Sequence, residues 1–299
     1  MEEFNKLIQD IAKELEIKVT LLSDNWLTVL EKDNETHYIQ GYKFDLNNHG
    51  LGNIVDDKGL FYDLLTYKNL PTIEHQVLFK NYDKDSIINY FNNHNGEIIV
   101  KGNIGTCGNQ VYKINDIKDL FDKIDELFLS QFSISLCPYY DIINEYRVIV
   151  LNNEARVVYG KKRPIVIGDG KSTLKELAYS FNPLYYVDIK HLNILDDYVP
   201  KKNEKVSLNF QFNLSRGALM FLDIDKELKE KIINLALEVC QKTNLVFGSV
   251  DIILTRNKEL LIMEANSGVM MNNFIKLNKN GYKIAKNIYR DAILLMFLK

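Results

Sequence analysis

Phe4, Leu7, Ile8, Ile11 and Leu15 fall on one side of a 3.6-residue spiral, so the chain is expected to open with an amphipathic helix over residues 1–16. Strand-like apolar runs follow at 17–22 and 26–30, an α/β opening. Asp57 and Lys58 precede helical spacing through Leu60, Leu64 and Leu65, which stops at Asn69-Leu70-Pro71 because proline cannot continue a helix. Residues 77–80, 98–101 and 110–114 read as strands around a helix at 85–92, and a further helix at 116–129 closes a small α+β lobe. Past Pro138, strands at 145–151 and 155–159 meet at Asn152-Asn153, a hairpin signal that starts a larger lobe. Asp223 or Asp225 can cap a helix whose Leu228, Ile232, Leu235, Ala236 and Val239 share a face. Strands at 248–254 and 259–265 follow, and a last amphipathic helix from about residue 283 carries Ile284, Ile288 and Leu295. No internal repeat, low-complexity run or long linker interrupts this order.

Composition narrows the partners. With 299 residues, 46% of them hydrophobic, the chain can bury a core shared by two or three lobes. A formal charge of -3 with scattered lysines sets up no field for nucleic acid or an anionic membrane, so neither partner is expected. The first ten residues lack the regions of a signal peptide, and no apolar run approaches the roughly 20 residues of a membrane span. Cys107, Cys137 and Cys240 are odd in number and form no CxxC pair, which disfavours disulfides and cysteine metal sites and points to a reduced cytoplasm.

The most informative chemistry lies near the end. In the strand around Glu264, residues two apart face alike, so Glu264 and Asn266 share a face, with Asp251 on the partner strand. Two carboxylates and an amide oxygen suit a hard cation such as Mg2+ that also holds phosphate oxygens. Edge-strand acids facing water are the alternative, and these residues alone leave both open. Lys101 ends an apolar strand and leads into Gly102-Asn103-Ile104-Gly105-Thr106-Cys107-Gly108, where small residues let backbone N–H groups approach a phosphate; a plain hairpin tip is the competing reading. Gly168-Asp169-Gly170-Lys171-Ser172-Thr173 is not a P-loop, because Ile165 stands where that motif needs glycine; a turn and a Thr173/Glu176 capping box explain it. Glu145 and Arg147 share a strand face, as do Lys161 and Arg163, and together with the acids they would line a cleft of both signs. His37, His49, His75, His94 and His191 show no ligand spacing, and no serine or cysteine nucleophile motif appears.

In order, these pieces resemble the ATP-grasp superfamily, most closely the ATP-grasp region of cyanophycin synthetase and related peptide-forming ligases. The matching signatures, over about residues 57–273, are Asp57-Lys58 before a helix ending at proline, Lys101 with its loop, and Glu145-Tyr146-Arg147-Val148. Arg163-Pro164 leading to 168–174, Asn213-Leu214-Ser215-Arg216-Gly217, and Asp251 with Glu264 and Asn266 complete the set. The resemblance implies an α/β (α+β) ATP-grasp fold, two lobes gripping ATP behind a small N-terminal α/β segment. Its divisions would be 1–75, a lid lobe at 76–138 and a large lobe with the metal site at 139–299.

By the same resemblance, Lys58 and Lys101 would contact phosphates, with Gly105, Thr106 and Gly108 closing over them. Pro138, Tyr139 and Tyr140 would pass the adenine and Glu145 the ribose, while Asp251, Glu264 and Asn266 would carry one or two Mg2+, with Mn2+ as a substitute. Arg147, Arg163 and Arg216 would take the catalytic role at the γ-phosphate and acyl phosphate. Asn213, Ser267 and Gly268 would border the acceptor. The implied activity is an ADP-forming ligase joining a small carboxylate to an amine, an amino acid or short peptide, through an acyl phosphate; a homodimer is compatible with it. A small-molecule phosphotransferase and a non-catalytic nucleotide-binding module are the alternatives. The chain departs from the family where Asn266-Ser267-Gly268-Val269 replaces a proline-glycine turn, and at Cys107 and Asn109 in the loop. It also lacks the Mur-ligase-like half of cyanophycin synthetase, and residues 1–56 match weakly.

Overall fold

The opening helix, α1 (Glu2–Glu14), buries Phe4, Leu7, Ile8 and Ile11, the stripe its spacing marks out. A computed structural model describes residues 1–105, 110–181 and 197–298. After α1 the chain forms an antiparallel meander of β1 (Lys18–Leu22), β2 (Leu27–Lys32), β3 (Glu35–Gln40) and β4 (Lys43–Phe44). Helices α2 (His49–Asp56) and α3 (Lys58–Tyr67) are separated only by Asp57, whose carboxylate accepts from Leu60 N at 2.9 Å and so caps α3.

The small lobe is a four-stranded sheet in the order β5 (Gln76–Leu78), β8 (Ile134–Pro138), β6 (Ile98–Gly102), β7 (Val111–Ile114). Helices α4 (Lys84–Asn93) and α5 (Ile117–Phe128) cover one face, closing a core of Leu78, Ile87, Ile98, Val100, Leu120, Ile124, Ile134 and Leu136. Alternation along the strands turns Val77, Ile99, Lys101, Ser135 and Cys137 to the opposite face.

The large sheet is antiparallel, in the order β13 (Leu219–Phe221), β10 (Glu154–Lys162), β9 (Ile142–Leu151), β14 (Phe247–Thr255), β15 (Leu260–Asn266). Its hairpin between β9 and β10 turns at Asn152 and Asn153, both in the left-handed region at φ 50° and 60°. Tyr146, Val148, Val150, Val250, Ile252 and Ile262 pack with α7 (Lys226–Thr243), α2 and α3. On the other face Ile149, Leu151, Tyr159 and Phe247 join a core with α1, the meander and α9 (Gly281–Met296), preceded by α8 (Asn272–Leu277). The short pair β11 (Ile165–Ile167) and β12 (Lys205–Ser207) carries α6 (Leu174–Phe181), opened by a capping box in which Thr173 Oγ1 accepts from Glu176 N and Glu176 accepts from Thr173 N. No helix among the described residues is long and apolar enough to cross a membrane.

Candidate active site

One face of the large sheet divides along its length. Ile149, Leu151 and Phe247 lie in the core at one end, while Glu145, Arg147, Asp251, Glu264 and Asn266 lie toward the other. Register fixes the polar half: Arg147 stands opposite Asp251, Asp251 opposite Glu264, and Glu145 opposite Lys161. A β-bulge is decisive here. Asp251 pairs with Glu264, but the next residue, Ile252, pairs with Ile262, so Met263 is an extra residue in the ladder. Ile262 thereby stays in the core while Glu264 turns to the polar face; strict alternation would place them together.

These charges are dry. Glu145, Lys161 and Asp251 are 6%, 5% and 0% exposed, so each needs a partner. Arg147 forks onto Asp251, Nε to Oδ1 at 2.8 Å and a terminal nitrogen to Oδ2, while Lys161 Nζ donates to Glu145 and, at 3.3 Å, to Asp251 Oδ1. Burial alone would raise the Asp251 pKa, but Arg147 and Lys161 outweigh it and hold the carboxyl well below the usual range. Burial, with Asp251 nearby, pushes the Glu145 carboxyl up against the pull of Lys161. Glu145 is turned to Lys161.

Glu264 and Asn266 form no side-chain hydrogen bond or ion pair among the described residues. No three His, Cys, Asp or Glu side chains stand together among those residues either, and the Asn266 amide is a further side-chain oxygen on the face of Glu264. Asp251 Oδ1 already accepts twice and Oδ2 once, which leaves one lone pair. The donor set thus fits a hard, oxygen-seeking cation that Glu264 and Asn266 would hold with a single oxygen of Asp251.

Four consecutive residues bring the lobes together. Asp56 accepts from Ser267 N and Oγ, just beyond β15, at 3.1 to 3.2 Å. Asp57 accepts from Asn103 Nδ2 at 2.8 Å and Gly59 N donates to Asn103 Oδ1 at 3.0 Å, just beyond β6. Lys58 lies between these clamps, its Nζ donating to the carbonyls of Asn103 and Gly105 at 3.1 and 3.2 Å. Burial, then Lys101, lower its pKa, and Glu264 opposes them. Lys101 is 8% exposed and, with Lys58, also acts on His75. His75 is 7% exposed; its Nδ1 is 2.6 Å from Ser135 Oγ and its Nε2 has no partner.

The remaining expected residues have the following partners. Pro138 ends β8 opposite Ile98; the Tyr139 ring lies 3.6 Å from Lys113 Nζ, and the Tyr140 hydroxyl accepts from Glu74 N at 3.3 Å. Arg163 stacks on Phe212 at 5.0 Å and donates to the Tyr139 hydroxyl at 3.5 Å, just past the end of β8. Arg216 ends a single 3-10 turn (Leu214–Arg216) that Asn213 caps by accepting from Ser215 N at 2.9 Å. Ser267 is 2% exposed, and Gly268 pairs with Lys43 of the meander. Thr106 and Gly108 lie outside the described residues. His75, Asp56 and Asn103 were given no role from the sequence, because their partners are 44 to 211 positions away.

Residues 185–291 match the RimK-like ATP-grasp domain. That match spans about a third of the chain, and the fold as a whole is that of ATP-grasp ligases of known structure. It is 22% identical over 292 residues to the glutathione biosynthesis bifunctional protein GshAB of Clostridium perfringens, covering 90% of this chain and 37% of that one. A bifunctional glutathione synthetase from Pasteurella multocida is similar in structure, with TM-score 0.55 and 18% identity over 96% of this chain and 44% of that one. So is the D-alanine--D-alanine ligase from Bacillus anthracis, with TM-score 0.57 and 13% identity over 85% of this chain and 71% of that one. The chain therefore spans less than half the length of the glutathione-pathway proteins it matches.

Proposed function

We propose that the protein is an ATP-dependent carboxylate-amine ligase that forms an amide through an acyl phosphate and releases ADP and phosphate. The observation that carries this reading is the clamp at 56–59, which holds Lys58 between Lys101 of one lobe and Glu264 of the other. Cations on one side and free oxygen donors on the other are what a metal-bound triphosphate demands. A divalent cation, Mg2+ by the hardness of the donors, would neutralise phosphate charge there.

In this reading Lys58 and Lys101 hold the phosphates, and the connector from Pro138 to Tyr140 passes the base. Arg147, anchored on Asp251, and Arg163, stacked on Phe212, face the transferring phosphoryl group, with Arg216 beside them. A substrate carboxylate oxygen attacks the γ-phosphorus, and the bond to the β-phosphate oxygen breaks to release ADP. The amine then attacks the acyl carbon, phosphate leaves with its bonding pair, and the amine proton passes to solvent or phosphate. No side-chain nucleophile is required. Asn213, Ser267 and Gly268 border the acceptor, with Asp56 and Lys43 supporting that wall. The substrates are a small carboxylate and an amine of the amino-acid or peptide class. Free, buried Cys137 and Cys240 suit a reducing cytoplasm.

The test is ADP release from ATP with pools of amino acids and small carboxylates, with hydroxylamine added to trap an acyl phosphate as a hydroxamate. Hydroxamate formation that disappears in Glu264→Ala is the expected result. A phosphate ester in its place makes the protein a phosphotransferase, and undiminished turnover in Glu264→Ala removes the metal assignment.

A further inference from the structure

Asn103 occupies a junction that the chemistry above does not use. It follows β6, the strand carrying Lys101, and is 2% exposed. Its backbone N donates to Ser133 O at 3.1 Å, and its carbonyl accepts from Lys58 N at 3.3 Å and Lys58 Nζ at 3.1 Å. Its side chain then does two further things: Oδ1 accepts from Gly59 N at 3.0 Å, and Nδ2 donates to Asp57 Oδ2 at 2.8 Å.

The first turn of a helix leaves its N–H groups without partners inside the helix. In α3 they are divided: Asp57 takes Leu60 N and Asn103 takes Gly59 N, across 44 residues of chain. The link therefore joins the turn bearing Lys58 to the strand bearing Lys101. These two cations repel each other, and neither has a carboxylate within ion-pair distance among the described residues. Holding them close before an anion arrives needs a tie between their two elements, and the Asn103 amide supplies it through Gly59 N and Asp57.

Resting on the nucleotide reading above, we propose that Asn103 is a positioning residue that sets the spacing of Lys58 and Lys101, preorganising the phosphate site before ATP enters. Its side chain touches helix α3 and Asp57, and acts on the phosphates only through the lysines. Preorganisation of this kind strengthens binding without a new contact to the ligand.

The experiment uses the full chain and measures MgADP affinity by calorimetry, KM for ATP against kcat, and the thermal midpoint. Asn103→Ala and Asn103→Asp are expected to weaken MgADP and raise the KM for ATP by about tenfold, with kcat changed less than about twofold. The exchange pair Asn103→Asp with Asp57→Asn swaps donor and acceptor while keeping both the Gly59 and Leu60 acceptors. It is expected to restore affinity to within about threefold of wild type. Wild-type affinity in both single variants overturns the proposal. So does an exchange pair that binds no better than Asn103→Asp, or a binding loss that follows the thermal midpoint and is not recovered in the exchange pair. A wild-type protein that does not bind MgADP at all instead overturns the nucleotide reading on which the proposal rests.

Discussion

His75 is a buried base with a consequence for acid stability. Burial, then Lys101 and Lys58, push its pKa down to about 2, so the folded protein keeps it neutral. In the unfolded chain it titrates near 6.5. Between those values the unfolded state binds a proton that the folded state refuses, so stability is complete above about pH 6.5 and declines as acid is added. The slope from this group alone is on the order of 1 kcal/mol per pH unit. Urea midpoints between pH 7 and 5 should fall more steeply for the wild type than for His75→Gln; parallel lines would refute the assignment. The same scale sets how much of the site was legible. Asp251, Glu264 and Asn266 were marked by their types and spacing, since strands alternate. That Arg147 and Lys161 already hold Asp251 was not, because that pairing is made across strands 104 and 90 positions apart. Nor could alternation reveal the bulge at Met263, which leaves Ile262 and Ala265 buried three positions apart.

Among the elements, α3 and β5 meet closely at Gly59. A Cβ there would lie 2.1 Å from Val77 Cγ2, while alanine would ordinarily favour a helix over glycine by up to about 1 kcal/mol. Overlap should win, because a valine packed between lobes has little room to turn. Gly59→Ala is expected to cost about 1–3 kcal/mol in denaturant unfolding, and adding Val77→Ala should return part of it. A stabilised Gly59→Ala would mean that the lobes separate freely at this point. The periodic elements were readable: α1, α5, α7, β6, β14 and β15 lie within a few residues of expectation. Others were hidden for physical reasons. β3 buries only Ile39, so its sequence carries no apolar alternation. α2 contains Gly50 and Gly52, poor helix formers, and is held from outside by the Asn48 cap and the Asp56 bonds to Ser267. β8 is interior to its sheet and mixes buried Ser135 with Ile134 and Leu136, a pattern without a solvent side.

Over the whole molecule, the N-terminal meander shares one core with the large sheet. Phe44 stacks on Tyr289 at 5.7 Å and meets Phe247 edge-on at 5.0 Å, and Asn47 both accepts from Val246 N and donates to Phe247 O. Removing residues 1–44 would expose Phe247, Tyr289 and Ile149 together. A chain starting at residue 45 should therefore lose its single cooperative melting transition, whereas a sharp wild-type-like transition would make the meander an independent appendage.

The divided face of β9 and β14 carries a constraint of another kind. Oily layer and charged crevice are consecutive stretches of the same two strands, ordered by a count of two with Met263 as the one interpolated residue on β15. Exchanging one amino acid for another alters a single position of that surface. Inserting or deleting one in β14 would carry Asp251 into hydrocarbon and Val250 into the crevice at once. A one-residue change of length in β14 should therefore cost far more stability than a single conservative exchange along it.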